Sequence, residues 1–165
     1  MLKEKEKRTL LIVILGVSLV SLVATLVSGV VSGLMYLVNG EMFNDYATDH
    51  IRLMYGLFLL VGMGLGVAYL TFYLVKKNYR NKIALIFLIA QAVYFVITSI
   101  VLYLWLAIAQ NWYIESVDFA YLGNYIAALL SALISSALIT CASHFLHKSN
   151  QQEEQSATNE TVEKP

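Results

Sequence analysis

Four long runs of apolar residues without formal charge dominate the pattern of this chain. They cover residues 9–38, 53–75, 83–109 and 121–146. Each run exceeds the roughly 18–20 residues that an α-helix needs to cross the hydrocarbon core of a bilayer. The pattern therefore predicts an all-α integral membrane protein whose four transmembrane helices form two antiparallel hairpins.

The polar segments outside these runs complete the predicted domain organisation. Residues 1–8 form a short basic N-terminal segment, and residues 9–146 form the transmembrane domain. The first run has 30 uncharged residues, about twice the apolar region of a signal peptide, and is interpreted as an uncleaved span. Residues 147–165 are rich in Gln, Glu, Ser and Thr, so too little apolar surface is available to order them. We expect a disordered tail there.

Basic residues are distributed unequally between the two sides that four crossings would create. Ten of the eleven Lys and Arg residues lie in the N-terminal segment, in residues 76–82 (KKNYRNK) or after the fourth run, and only Arg52 lies on the other side. Basic loops are retained in the cytoplasm. The distribution therefore predicts a multi-pass protein of the cell membrane with both termini cytoplasmic.

Overall composition narrows the classes of function. Apolar residues make up 59% of the chain and the formal net charge is zero, so no global basic field favours nucleic acid. The single Cys141 has no partner within the chain for a disulfide. The lipid bilayer and other membrane proteins, or further copies of this chain, are the expected partners.

Gln91 is the most polar side chain deep within an apolar run. With the turn between runs two and three centred near residue 80, antiparallel pairing places Gln91 opposite Tyr69 and the ring of Tyr94 over Gly66. Thr98 continues this polar stripe on run three. The stripe predicts either an interhelical hydrogen bond or the lining of a polar path for a solute.

Small residues recur every four positions and predict close helix packing. Run four carries two such series on faces about 100° apart, so it should contact two neighbours, either both within the monomer or one in a partner subunit. The candidate packing residues are Thr25, Gly29, Gly33, Gly62, Gly66, Ala127, Ser131 and Ser135.

Residues that could support chemistry are few. No Asp, Glu, Lys or Arg lies within the four runs, and no catalytic motif stands in a suitable context. Cys141, His144 and His147 recur every three residues, but a metal site would need a further ligand. The acidic residues between the runs are expected to be solvated: Glu41, Asp45, Asp49, Glu115 and Asp118. We expect no catalytic residue, no cofactor and no metal.

The sequence therefore predicts a non-enzymatic tetraspan protein. The preferred hypothesis is an accessory or regulatory subunit that acts by protein–protein interaction, because packing faces are plentiful and chemical groups are scarce. The alternative is a small oligomeric transporter or channel, in which Gln91, Tyr69, Tyr94 and Thr98 line the polar path.

Overall fold

The chain folds into four long α-helices. The computed structural model describes residues 4–38, 46–75, 80–112 and 120–162, and the environments of side chains within 5–38, 53–75, 82–108 and 122–151. The helices are α1 (Glu4–Val38), α2 (Tyr46–Val75), α3 (Arg80–Trp112) and α4 (Ala120–Val162). The described residues contain no other type of secondary structure.

Each helix contains a segment long and apolar enough to cross a membrane, which confirms the predicted fold class at this level. These segments are Lys5–Val38, Leu53–Val75, Lys82–Ile108 and Leu122–Gln151. They follow the apolar runs closely. Inside a bilayer each backbone N–H and C=O group needs a partner within the protein, and a continuous helix supplies it.

The helices form a bundle in which α1 and α3 each pack against both α2 and α4. Helix α2 also contacts α4 across the bundle, whereas the contact between α1 and α3 is at most slight. The contacts of α1 with α4 run antiparallel, since Ser21 meets Ser135 and Thr25 meets Ser131. Helices α2 and α4 instead run parallel, since Tyr69 meets Ser136 and Tyr73 meets Ser143. Because these two helices are in contact, they lie on the shorter diagonal of the bundle.

The centre of the bundle is filled by large side chains. Leu22, Met63, Leu102, Leu106 and Ile139 have no exposed surface. Most of the outward-facing side chains are aliphatic, for example Val20 and Ile86, which are 71% and 65% exposed. An apolar exterior of this kind suits contact with lipid chains.

The C-terminal part of α4 differs from the disordered tail that we predicted. The helix continues through residues 147–162. Neither Gly nor Pro occurs between residues 124 and 164, and Gln, Glu and Ala in the tail are good helix formers. The prediction of disorder considered only the surface that the tail could bury, whereas helix propensity does not depend on that surface.

Candidate functional site

The polar stripe on α2 and α3 adopts a register about one helical turn from the predicted one. A Cβ atom on Gly62 would lie 3.0 Å from Cε1 of Tyr94, and one on Gly66 would lie 3.2 Å from Nε2 of Gln91. The predicted pairs of Tyr94 with Gly66 and of Gln91 with Tyr69 are therefore wrong. The reason lies in the turn: α3 already begins at Arg80, so the centre of the turn precedes residue 80.

The side chain of Tyr69 contacts α4, and not Gln91 on α3 as predicted. Its hydroxyl lies 3.0 Å from the carbonyl oxygen of Ser136, to which it donates, and 2.9 Å from Oγ1 of Thr140. One turn further along α2, the Tyr73 hydroxyl bonds to Oγ of Ser143. The two tyrosine rings stack with their centroids 6.1 Å apart, so together they fill the space between α2 and α4.

The other stripe residues also make contacts inside the bundle. The Tyr94 hydroxyl donates to the carbonyl oxygen of Phe58 at 2.6 Å, and Thr98 donates to the carbonyl oxygen of Tyr94 at 2.7 Å. Oγ1 of Thr98 also bonds to the Tyr125 hydroxyl on α4. Gln91 is buried, and its Oε1 accepts no hydrogen bond from the described part of the chain. Three of the four stripe residues thus join helices.

Glycines bring α1 and α2 into close contact. A Cβ atom on Gly29 would lie 2.6 Å from Sδ of Met63, and one on Gly33 would lie 2.9 Å from Cγ of Leu60. Gly56, which the spacing of small residues did not single out, lies against the carbonyl oxygen of Gly33; its Cβ would be 3.0 Å away. The absence of side chains at these glycines permits the close approach of the two helices.

The two small-residue faces of α4 meet two different helices of the same chain. On one face, Oγ1 of Thr25 lies 3.2 Å from Oγ of Ser131, and Ser135 donates to Ser21 at 3.2 Å. The other face includes Ser136 and receives Tyr69 from α2. Ala127 belongs to the first face but is exposed, because α1 and α4 leave an open space beside it.

This space is a groove of about 440 Å³ between α1 and α4, and we call it the hydroxyl groove. Eight of its lining residues carry a hydroxyl or amide group, and none carries a charge. The Thr25–Ser131 hydrogen bond closes one end. The lining consists of Ala24, Thr25, Ser28, Gly29, Ser32, Tyr36, Tyr55, Leu59, Asn124, Tyr125, Ala127, Ala128 and Ser131.

Tyrosine rings form the deep wall of the hydroxyl groove. Tyr55 and Tyr125 are each 2% exposed and pack edge to face, with ring centroids 5.9 Å apart. Tyr36 on α1 lies against Tyr55 with centroids 6.2 Å apart. The outer walls are more open, since Ser28 and Asn124 are exposed. The groove therefore offers hydroxyl donors and acceptors, together with flat apolar ring surface.

Small residues at intervals of four did not indicate this groove, although the polar residues along this side of α1 have a recognisable spacing. Ser21, Thr25, Ser28 and Ser32 follow intervals of four, three and four, which place them along one face of a helix. Their hydroxyls were considered only as small groups that permit packing. The pattern on α1 alone could not show that the facing part of α4 is set back from it.

A second groove, of about 330 Å³, lies at the other end of the same helix pair. We call it the basic groove, because three cationic side chains contribute to its lining, which consists of Lys7, Arg8, Leu10, Leu11, Phe145, Lys148 and Ser149. It lies where the N-terminal part of α1 packs beside the end of the apolar run of α4. No residue of the predicted polar stripe contributes to either groove.

The candidate ligands for a metal are not brought together within the described part of the chain. Cys141, His144 and His147 are exposed along α4, and His147 Nε2 lies 3.2 Å from Nε2 of Gln151. Asp49 lies in α2. The remaining acidic candidates, Glu41, Asp45, Glu115 and Asp118, lie outside the described residues.

No family model, curated protein or solved structure matches the chain.

Proposed function

We propose that this protein is a non-enzymatic tetraspan subunit of the cell membrane that binds a partner membrane protein through the hydroxyl groove. Both hairpins insert with their termini in the cytoplasm, as the distribution of basic residues favours. The partner inserts a transmembrane helix beside α1 and α4, and the tetraspan protein serves it as an accessory or regulatory subunit.

The observation that carries the proposal is the exposure of polar side chains within apolar helices. Ser28 and Asn124 are exposed on the walls of the hydroxyl groove. Lipid chains cannot form hydrogen bonds, so polar groups that face them are costly unless a partner or water covers them. A partner helix with Ser, Thr, Asn or Gln side chains satisfies these groups.

The size of the residues around the groove supports a helical partner. Ala24 and Ala127 are exposed on opposite walls, and a Cβ atom on Gly123 would have no neighbour within 4 Å. Small residues allow the backbones of two helices to approach closely, so that van der Waals contacts and interhelical hydrogen bonds can form. The same device already joins α1 to α4 at Ser21 and Ser135.

The interior of the bundle supports binding rather than chemistry. Its polar side chains Tyr69, Tyr94 and Thr98 are engaged in hydrogen bonds between or within helices. The runs contain no carboxylate or amine that could act as an acid, a base or a nucleophile.

Filling the groove tests the proposal. Ala127→Phe should occupy the groove and release the partner, whereas Ile97→Phe, on an exposed face of α3, should leave the complex intact. Each variant is purified from native membranes in nanodiscs, and its complex is weighed by native mass spectrometry. An unlike subunit at fixed stoichiometry, lost only from Ala127→Phe, is the expected result. A complex that survives Ala127→Phe contradicts the proposed site.

The proposed orientation is tested separately. In a Cys141→Ala background, Asp45→Cys and Ser116→Cys should react with an impermeant thiol reagent in intact cells, and Asn78→Cys should react only after permeabilisation. Labelling of Asn78→Cys in intact cells would reverse the orientation.

The second candidate function is a small oligomeric transporter or channel. The observation in its favour is the volume of the hydroxyl groove, about 440 Å³, which falls within the range of about 300–1,000 Å³ for small-molecule sites. An uncharged polar solute would suit its lining. A homo-oligomer with measurable solute flux in proteoliposomes, and without an unlike subunit, would favour this function over the accessory role.

A further inference from the structure

We propose that the basic groove binds the headgroup of an anionic phospholipid. This inference does not rest on the proposed function, because it requires only that this end of the bundle lies at a membrane interface. The transition from charged to apolar sequence on α1 and on α4 places it there.

The register of α1 against α4 brings like charges together in this groove. Ser21 meets Ser135 and Thr25 meets Ser131, so each step along α1 corresponds to one step back along α4. The same register, continued toward the N terminus of α1, places Arg8 opposite Lys148. Both side chains line the basic groove. An anion bound between these two cationic side chains would be attracted by both of them.

The lining shows why the anion should belong to a lipid. In the same register Leu11 lies opposite Phe145, one turn deeper in the span than the pair of cations. Leu10 and Phe145 are 50% and 56% exposed. A groove with cations at its mouth and exposed apolar side chains below them matches a phosphate group with attached acyl chains. A free phosphate ion would leave the apolar part uncovered.

The position of the groove agrees with known ways of recognising lipids. Basic pockets between transmembrane helices bind anionic headgroups, and each Lys or Arg near the surface strengthens the attraction about fivefold. Lys7 adds a third cation, from the helix that also supplies Arg8. Phosphatidylglycerol carries both required features, so it is the probe of choice.

A fluorescent residue inside the groove provides the test. In a Trp105→Phe, Trp112→Phe background, Phe145→Trp supplies the only tryptophan. The protein is reconstituted in phosphatidylcholine bilayers that contain brominated phosphatidylglycerol or brominated phosphatidylcholine, which quench tryptophan on contact. We expect the anionic lipid to be preferred at this site by at least about fivefold.

Two variants separate a site from general attraction to a basic surface. Lys7→Gln, Arg8→Gln and Lys148→Gln together should abolish the preference, while Lys7→Arg with Lys148→Arg should keep it. Leu85→Trp in place of Phe145→Trp is the matched control, because Leu85 is 52% exposed and follows the basic KKNYRNK segment by three residues in the sequence. Its preference for the anionic lipid should be clearly weaker.

Three outcomes would overturn the inference. Equal quenching by both lipids at position 145 would show that no anionic headgroup is preferred. Equal preference at positions 145 and 85 would show general attraction alone. Loss of the preference on addition of excess inorganic phosphate, at constant ionic strength, would show a site for free anions and not for lipid.

Discussion

The interfaces of α4 with α2 and with α1 use small residues in opposite ways. Toward α2, the hydroxyls of Tyr69 and Tyr73 reach α4, and their rings fill the space between the helices. Toward α1, small hydroxyl groups meet directly at Thr25–Ser131 and Ser21–Ser135, and a groove opens at each end of that contact. The first interface is filled by tyrosine rings, while the second leaves an open groove at each end.

The largest effect on stability is expected from emptying the α2–α4 interface. Tyr69→Ala removes a fully buried ring and should cost about 3–5 kcal/mol of unfolding free energy. Tyr103→Ala, at a residue of α3 that is 55% exposed, should change stability by no more than about 0.5 kcal/mol. Unfolding by sodium dodecyl sulfate in mixed micelles, followed by circular dichroism, measures both. Equal losses would mean that the α2–α4 contact has no special weight.

A smaller effect is expected from overfilling the α1–α4 interface. Ser135→Leu forces a larger side chain between the helices at a buried position and should cost about 1–3 kcal/mol. Ala127→Leu lies two turns away on the same face of α4 but points into the open groove. It should cost less than about 0.5 kcal/mol. The same unfolding measurement applies, and equal costs would contradict the division of this face into a closed and an open part.

A smaller effect is expected at the hydrogen bond between Tyr69 and Thr140. Tyr69→Phe and Thr140→Val remove partners of one hydrogen bond, so a double-mutant cycle should give a coupling energy of about 0.6 kcal/mol, and at most about 1.7. Tyr69→Phe and Gln91→Leu should be additive within about 0.5 kcal/mol, because Tyr69 bonds to α4 and no hydrogen bond links it to Gln91 within the described residues. A larger coupling energy between Tyr69 and Gln91 than between Tyr69 and Thr140 would support the predicted register, in which Gln91 faces Tyr69.

Gln91 itself should tolerate replacement. Gln91→Leu removes a buried amide whose carbonyl oxygen accepts no hydrogen bond among the described residues, so we expect folding to be unchanged or slightly improved. Loss of solute flux from a stable Gln91→Leu protein would show instead that this residue serves transport.

The sequence was sufficient to predict four helices, because bilayer thickness alone decides how long an uncharged apolar run must be. The spacing of small residues also singled out Gly29, Gly33, Gly62 and Gly66, and a Cβ atom at each of them would lie less than 3.0 Å from a side chain of another helix. The register of α2 against α3 could not be predicted in the same way. It depends on where α3 begins, and the polar residues of KKNYRNK can belong to a turn or to the first turn of a helix. Arg80 proves to be helical.

The two grooves depend on how α1 packs against α4, which the sequence of either helix alone does not show. Arg8 and Lys148 are separated by almost the whole chain, and only the packing of Ser21 on Ser135 determines that they face each other. Likewise, Ser28 on α1 could have been a buried packing residue. Its exposure follows from the position of α4 beside it, and spacing along one helix contains no information about that position.

The diagonal contact between α2 and α4 has a consequence for biosynthesis. The partners of Tyr69 and Tyr73 lie about 70 residues later in the chain, so these hydroxyls cannot reach Ser136 or Ser143 until the fourth helix has entered the membrane. In a nascent chain with three inserted helices, the rings of Tyr69 and Tyr73 lack the surface of α4 that covers them in the complete bundle. Helix α4 therefore completes the contact with α2 only after its own insertion.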